Sequence, residues 1–400
     1  MNRRRGGWLR AHAIALSLAH LTLPGGCSCG GPGGAGANAD ASTHSESGLR
    51  DGPEVRRDGR AGGDAELPCV DALPVDILWV VDNSHSMREE QNNLAANFPR
   101  LVQTLTNPPD SNRDGEPDYP PVTDLRLGIV STDLGVGMYT GIVNCDAEGD
   151  RAALIGRART EDPACASVSL DPPFVTYDPA APAQAEQQFS CLARLGIDGC
   201  GLEQQLEVSL RALTERAAPG EPNAGFVRDH SLLAIVLVTD EEDCSAADPS
   251  IFDPSPAAVE RLGPMATRCA EHPEMLHPVT RYVNGWRALR FGDMRHNLVV
   301  AAITGVPSDL VRDPFRIDYE ALLADERMRY RRTPDGRNLE AACSFGGVGS
   351  AHPARRIVEA IRPFGEVRAG LVQSICATDF GPAMEAIGRL VASRLCGPII

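Results

Sequence analysis

The sequence contains no lysine, so all 38 of its basic residues are arginine. That removes the phosphate-gripping lysine of a P-loop and any lysine Schiff base. The absence reads as a compositional bias with no functional cause. Aromatic residues are scarce, at 5%, so the core must rest on Leu, Val, Ile and Ala. No HExxH or Walker pattern occurs, and GxSxG and GxGxxG are spelled only inside the Gly-rich stretch 26–36, without the strand–turn–helix context that gives those motifs meaning. No two cysteines stand in CxxC spacing, which argues against thioredoxin-like redox chemistry and zinc ribbons. No apolar run reaches the roughly 20 residues that a spanning helix needs. Positive charge is outnumbered, 38 against 54 acids, for a net charge of -16 at pH 7. Residues 1–26 hold four arginines and no acid, so the chain without them carries -20. Such a surface repels nucleic-acid phosphates and anionic lipid headgroups. It suits cations and solubility.

What is present begins with an export pattern. Residues 3–10 (RRRGGWLR) are basic, residues 11–23 (AHAIALSLAHLTL) are apolar and short, and Gly25 and Gly26 precede Cys27. This is the layout of a secretory signal over residues 1–26. His12 and His20 suit a permanent membrane helix poorly. LPGGC resembles a bacterial lipobox with Cys27 as the lipidated residue, although Leu23 stands one place further upstream than usual; Cys29 is a second candidate. Residues 27–66 are rich in Gly, Ala, Asp, Ser and Arg and nearly free of large apolar side chains. They cannot bury enough surface to offset chain entropy, so they read as a disordered tether.

Ten further cysteines follow: Cys69, Cys145, Cys165, Cys191, Cys200, Cys244, Cys269, Cys343, Cys376 and Cys396. An even number in an exported chain is expected to form up to five disulfides. Sequence alone does not fix their connectivity. Cys191–Cys200 and Cys244–Cys269 are expected as local staples, and Cys69 with Cys396 as a tie between the ends of a domain over residues 67–400.

Apolar runs at 75–82 (VDILWVVD), 125–131, 232–239 (LLAIVLVT) and 297–304 read as buried parallel strands, with a weaker one at 369–375. Residues 87–105, 202–214 and 380–395 carry helical periodicity. Strands alternating with helices predict an α/β fold, doubly wound about a mostly parallel sheet. The Pro/Gly-rich stretches 138–200 and 305–350 read as disulfide-stapled insertions. Ligands on such sheets bind outside the carboxyl ends of the strands, where Asp82 and Asp240 both fall.

Asp82-Asn83-Ser84-His85-Ser86 follows the first strand directly and precedes a helix. One aspartate and two serines on such a turn aim their oxygens at one point, a donor set for Mg²⁺, Mn²⁺ or Ca²⁺. The bland alternative is that Ser84 caps the helix and Asp82 ends the strand. The segment resembles the DxSxS motif of von Willebrand factor type A (vWA) and integrin-type domains, and Asp240 in LVTDEED matches that family's distal aspartate. The resemblance spans roughly residues 70–396. It implies a vWA fold, a divalent cation with Mg²⁺ foremost, and a protein partner whose acidic side chain completes the coordination. In one respect the chain departs from the family: Cys200 aligns where a threonine ligand is usual. Asp198, Glu203 and Thr132 are the candidate replacements. The sequence is also similar to exported bacterial vWA lipoproteins.

Asp110, Asn112, Asp114, Glu116 and Asp118 have the spacing of the start of a calcium loop, without the closing glutamate or the helices of an EF-hand. The alternative is a solvated acidic turn. His85 lies beside the DxSxS motif and reads as a surface histidine, with a place on the motif's rim as the alternative. His230, His277 and His352 have no carboxylate at a telling spacing. Glu241, Glu242 and Asp243 read as a solvated run. Together these observations predict a non-enzymatic outer-membrane lipoprotein, periplasmic or surface-facing. It would meet the membrane only through its lipid, bind no nucleic acid, and serve adhesion or envelope assembly. The alternative is a structural envelope protein with a degenerate, metal-independent site.

Overall fold

A computed structural model describes residues 72–345 and 349–395. The signal segment, Cys27, Cys29, the tether, Cys69 and Cys396 lie outside the described residues. In chain order the elements are β1 (Val75–Val81), α1 (Arg88–Thr106), β2 (Leu125–Ser131), β3 (Val175–Thr176), α2 (Pro182–Leu192), α3 (Gln205–Leu213), β4 (Leu232–Thr239), α4 (Pro256–Leu262), α5 (Arg268–Glu271), α6 (Val279–Ala288), β5 (Leu298–Thr304), α7 (Tyr319–Ala324), β6 (Cys343–Phe345), β7 (Gly349–Ala351), α8 (Arg355–Gly365), β8 (Gly370–Ser374) and α9 (Gly381–Ala392).

Six strands form one sheet in the order β3-β2-β1-β4-β5-β8, and β6 pairs with β7 separately. Every neighbour pair of the large sheet is parallel except β2 with the two-residue β3. The chain starts at the centre, winds outward through β2, returns to β4 and winds out the other way. That is the order of a doubly wound sheet, with its reversal between β1 and β4.

Alternation along the buried strands decides which helix layer each side chain meets. Ile77, Trp79 and Val81 of β1 pack with α1, α2 and α9. Leu78 and Val80 pack with α3, α6 and α8. Each such buried Val, Leu or Ile contributes about 1.5–3 kcal/mol, so both faces favour this register. One charge lies within β1. Asp76 is 0% exposed, and the Arg228 guanidinium holds it through Nη2 at 2.7 Å and Nε at 2.9 Å. Arg228 N–H and the Ser231 hydroxyl donate to its other oxygen at 2.8 and 2.5 Å.

Four disulfides form among the described residues: Cys145–Cys200, Cys165–Cys191, Cys244–Cys269 and Cys343–Cys376. Cys244–Cys269 agrees with expectation. Cys191–Cys200 does not form, because Cys191 lies on α2, where it faces the turn carrying Cys165, while Cys200 lies past the end of that helix. Such bonds persist in an oxidising, extracytoplasmic compartment. Among the described residues no helix is long and apolar enough to cross a membrane.

Candidate functional site

Strand register builds a row of polar residues at the carboxyl edge of the sheet. Val81 stands opposite Ser131 on one side and Val238 on the other, and Thr239 opposite Thr304. One step further along, Thr132, Asp82 and Asp240 follow the ends of β2, β1 and β4. The row therefore straddles the reversal point of the sheet.

Asp82 is 0% exposed, and its N–H donates to Val238 O at 2.9 Å. Its Oδ1 accepts Ser84 N–H at 2.7 Å, and its Oδ2 accepts the Thr239 hydroxyl at 2.6 Å. Thr239 Oγ1 itself accepts from Gln205 Nε2 at 2.9 Å and from Glu241 N–H at 3.2 Å. Two donors into that hydroxyl leave its own proton for Asp82. Gln91 Nε2 ties the Asp82 carbonyl to that of Gly196, at 2.9 and 2.8 Å. Burial pushes the Asp82 carboxyl up to about 6, against the opposing hydrogen bonds from Thr239 and Ser84.

Ser84 opens a short 3-10 turn, yet its side chain makes no capping hydrogen bond. Its hydroxyl lies 3.3 Å from that of Ser86. The capping explanation for this serine therefore fails, and the two hydroxyls of the motif do come together. The segment before α3 is held against the same turn. Gly199 N–H donates to Asn83 O at 2.9 Å. A Cβ on Gly199 would sit 2.3 Å from the Asn83 side chain, so only glycine permits this approach.

Asp240 and Glu203 are each 4% exposed. Burial raises both well above the carboxylate range; the Glu241 and Asp82 charges add to this for Asp240, and the Asp82 and Glu241 charges for Glu203. No arginine pairs with Asp82, Glu203 or Asp240 among the described residues. Seven buried side-chain oxygens in this region have no hydrogen-bond partner among the described residues: Asn83 Oδ1, Glu90 Oε2, Thr132 Oγ1, Glu203 Oε1, Gln205 Oε1, Asp240 Oδ1 and Thr304 Oγ1. Each such atom left unpaired costs about 1–3 kcal/mol, so their concentration at one edge suits ordered water or a bound ion. Oxygen donors of this kind fit a hard divalent cation. Among the described residues no three His, Cys, Asp or Glu side chains close on one point. A cation here would be held by a mixture of carboxylates, hydroxyls and retained water.

A pocket of about 580 Å³ opens over the edge, lined by Ser86 and Asp240 with His85, Arg88, Glu89, Ile197, Ser344, Gly349 and Ser350. His85 is exposed and also lines this rim. Of the three candidates for the third position, Glu203 and Thr132 reach the buried edge. Asp198 is exposed and lines a different cavity of about 360 Å³ with Arg88, Arg159 and Arg194. Cys200 is buried in its disulfide to Cys145 and offers no oxygen.

Sequence reasoning missed several neighbours. Glu242 and Asp243 are buried, contrary to the solvated run expected. Arg356 Nε donates to Asp243 at 3.0 Å, and its N–H and the Tyr330 hydroxyl donate to Glu242. Burial still raises Glu242 to about 7. His352 does have a carboxylate partner, Glu241, which contacts its Nδ1, and His352 N–H donates to Asp240 O at 2.8 Å. The Gln205–Thr239–Asp82 chain was also invisible. The only available signal was that Thr239 and Gln205 flank residues already suspected.

The acidic loop lies apart from this edge. Asp110, Asn112, Asp114, Glu116 and Asp118 are exposed. Asp110 accepts N–H groups of Asp114 and Gly115, both at 3.1 Å. Asn112 accepts Asp114 N–H, Asp114 accepts Glu116 N–H, and Asp118 accepts Ser111 N–H, all at 2.9 Å. Asp110, Asp114 and Asp118 thus act as turn-formers.

No family description matches this chain, and no curated protein does. Among solved structures, proximal thread matrix protein 1 from the mussel byssus is similar, at 10% identity over 80% of this chain and 49% of that one, with a TM-score of 0.30. The chain spans about half the length of that structure. A likeness this distant carries no argument about fold or function.

Proposed function

We propose that the chain is an envelope-anchored lipoprotein whose vWA-type domain binds a protein partner through a divalent cation. Asp82, Ser84, Ser86 and Asp240 are its ligands, the role is adhesion or envelope assembly, and no reaction is catalysed. The observation that carries the reading is the buried row of partnerless oxygens at the sheet's reversal point, in a region without a pairing arginine. The DxSxS resemblance supplies the ligand set, with Mg²⁺ foremost and Mn²⁺ or Ca²⁺ as alternatives. The pocket beside Ser86 and Asp240 leaves room for a partner's acidic side chain to complete the coordination. A structural Ca²⁺ in the Asp110–Asp118 loop has less support, because its carboxylates are exposed and none is buried without a partner.

The competing reading is a metal-independent structural protein with a degenerate site. The disulfide-bonded Cys200 at the threonine position favours it, as does the lack of three converging acids. Calorimetry with Mg²⁺, Mn²⁺ and Ca²⁺ on the purified protein, beside Asp82→Ala and Asp114→Ala, separates the two. Binding abolished by Asp82→Ala alone supports the first and licenses a partner search with EDTA controls. A protein that binds none of the three ions leaves the second.

A further inference from the structure

We infer that Glu203 is the third protein group of this cation site, an anionic residue in the role for which the vWA pattern uses a neutral threonine. The inference rests on the proposed function above. Of the three candidates, Asp198 is exposed and lines another cavity, Thr132 is buried but brings no charge, and Glu203 is buried and lines a small cavity of about 100 Å³ with Glu241 and His352. Glu203 lies two residues before α3 on a segment pinned from every side. Cys244 N–H donates to Glu203 O at 2.8 Å, and Gln204 N–H to Thr132 O at 3.0 Å. Leu206 N–H donates to Asp243 Oδ1 at 2.9 Å, and Cys200 is bonded to Cys145. This segment delivers a carboxylate that is 4% exposed, with Oε1 lacking any hydrogen-bond partner. Asp82 is the carboxylate that acts on it most strongly.

A buried carboxylate without a counter-charge is among the costliest arrangements in a protein. Nothing in the fold gains from Glu203: it caps no helix, binds no arginine and closes no hydrogen-bond network among the described residues. A cation at the Asp82–Asp240 edge offsets that cost. Since no three acids close on one point, Glu203 engages the ion through a water of its shell, as suits Mg²⁺, which keeps several. Three carboxylates would then face a double positive charge. The binding would be driven by charge, and the ion-free fold would carry the repulsion.

The test is Glu203→Gln, which keeps the shape and removes the charge. Affinity for Mg²⁺ is measured by calorimetry and the melting temperature in EDTA, beside wild type, Asp82→Asn and Glu203→Asp. Glu203→Gln should weaken Mg²⁺ binding about 10- to 100-fold, the range seen for water-mediated or supporting groups. It should also melt roughly 2–4 °C higher than wild type in EDTA, and Glu203→Asp should recover part of the affinity. If Glu203→Gln binds like wild type while Asp82→Asn does not, the inference fails and the proposed function stands. If Glu203→Gln loses affinity and also melts lower in EDTA, Glu203 is structural and the inference fails. If wild type itself binds no Mg²⁺, both fall together.

Discussion

The two ends of β1 pose the same problem and solve it differently. Asp76 and Asp82 lie six residues apart on one strand, and both are 0% exposed. At the amino end the chain supplies its own cation, because Arg228 and Ser231 leave Asp76 fully paired. At the carboxyl end it supplies only hydrogen-bond donors to Asp82 and adds two more buried acids. A buried carboxylate is thus not in itself a sign of function. What separates the two ends is whether the fold has already provided the opposite charge.

Substitution should drive the two ends in opposite directions. Asp76→Asn removes the buried one of Arg228's two acid partners, leaving the more exposed Asp124, and through the charge-assisted hydrogen bonds lost should cost roughly 3 kcal/mol of stability, with or without Mg²⁺. Asp82→Asn should leave the melting temperature in EDTA unchanged or raised. Equal destabilisation by both, measured by chemical denaturation, would erase the contrast. A smaller effect concerns the staple on the segment before Glu203. Replacing Cys145 and Cys200 together with serine opens a 55-residue loop and should cost about 2–4 kcal/mol. The cation affinity should fall alongside, whereas the pair Cys165–Cys191 can be removed with stability loss alone. If both pairs weaken Mg²⁺ binding equally, the Cys145–Cys200 bond has no special tie to the site.

The smallest effect is the dependence on pH. Asp82 is raised to about 6 and Glu242 to about 7, each by burial. Burial alone would lower His352, but Glu241 raises it. A group whose folded value exceeds its unfolded one binds protons more tightly in the fold. Its stabilising contribution is complete below the unfolded value, near 4 for the acids, and is lost as pH rises through about 6 and 7. In EDTA the melting temperature should therefore decline between pH 4 and 8, and saturating Mg²⁺ at pH 7.5 should restore it. Asp325, held at about 2 by the hydrogen bond from Arg327, titrates below this window. A melting temperature that climbs with pH in EDTA would contradict the picture of an uncompensated edge.

Much of the frame was legible. A strand buried on both faces has to be continuously apolar, so VDILWVV and LLAIVLVT announced β1 and β4, and the acids after them marked the edge. Other features depend on contacts that no local pattern encodes. Thr239 meets Asp82 across 157 positions and His352 meets Glu241 across 111. Helix α8 went unread despite burying Ile357, Val358, Ile361 and Phe364, since Pro363 breaks the usual helical signature. Within the insertion at 138–200, α2 and β3 were missed because the prolines around them suggested only loop. Glu203 stayed one of three candidates until the fold showed which of them is a buried carboxylate with a partnerless oxygen.

Of the four disulfides among the described residues, three bear on the rim of the site. Cys200 lies three residues before Glu203, Cys244 four after Asp240, and Cys343 on the hairpin whose Ser344 and Gly349 line the pocket. This has a practical side for anyone producing the protein. Material made in a reducing cytosol can assemble the apolar sheet and give an ordinary circular dichroism spectrum while the rim stays slack. Batches are accordingly best compared by thiol count, because secondary structure does not report whether these bonds have formed.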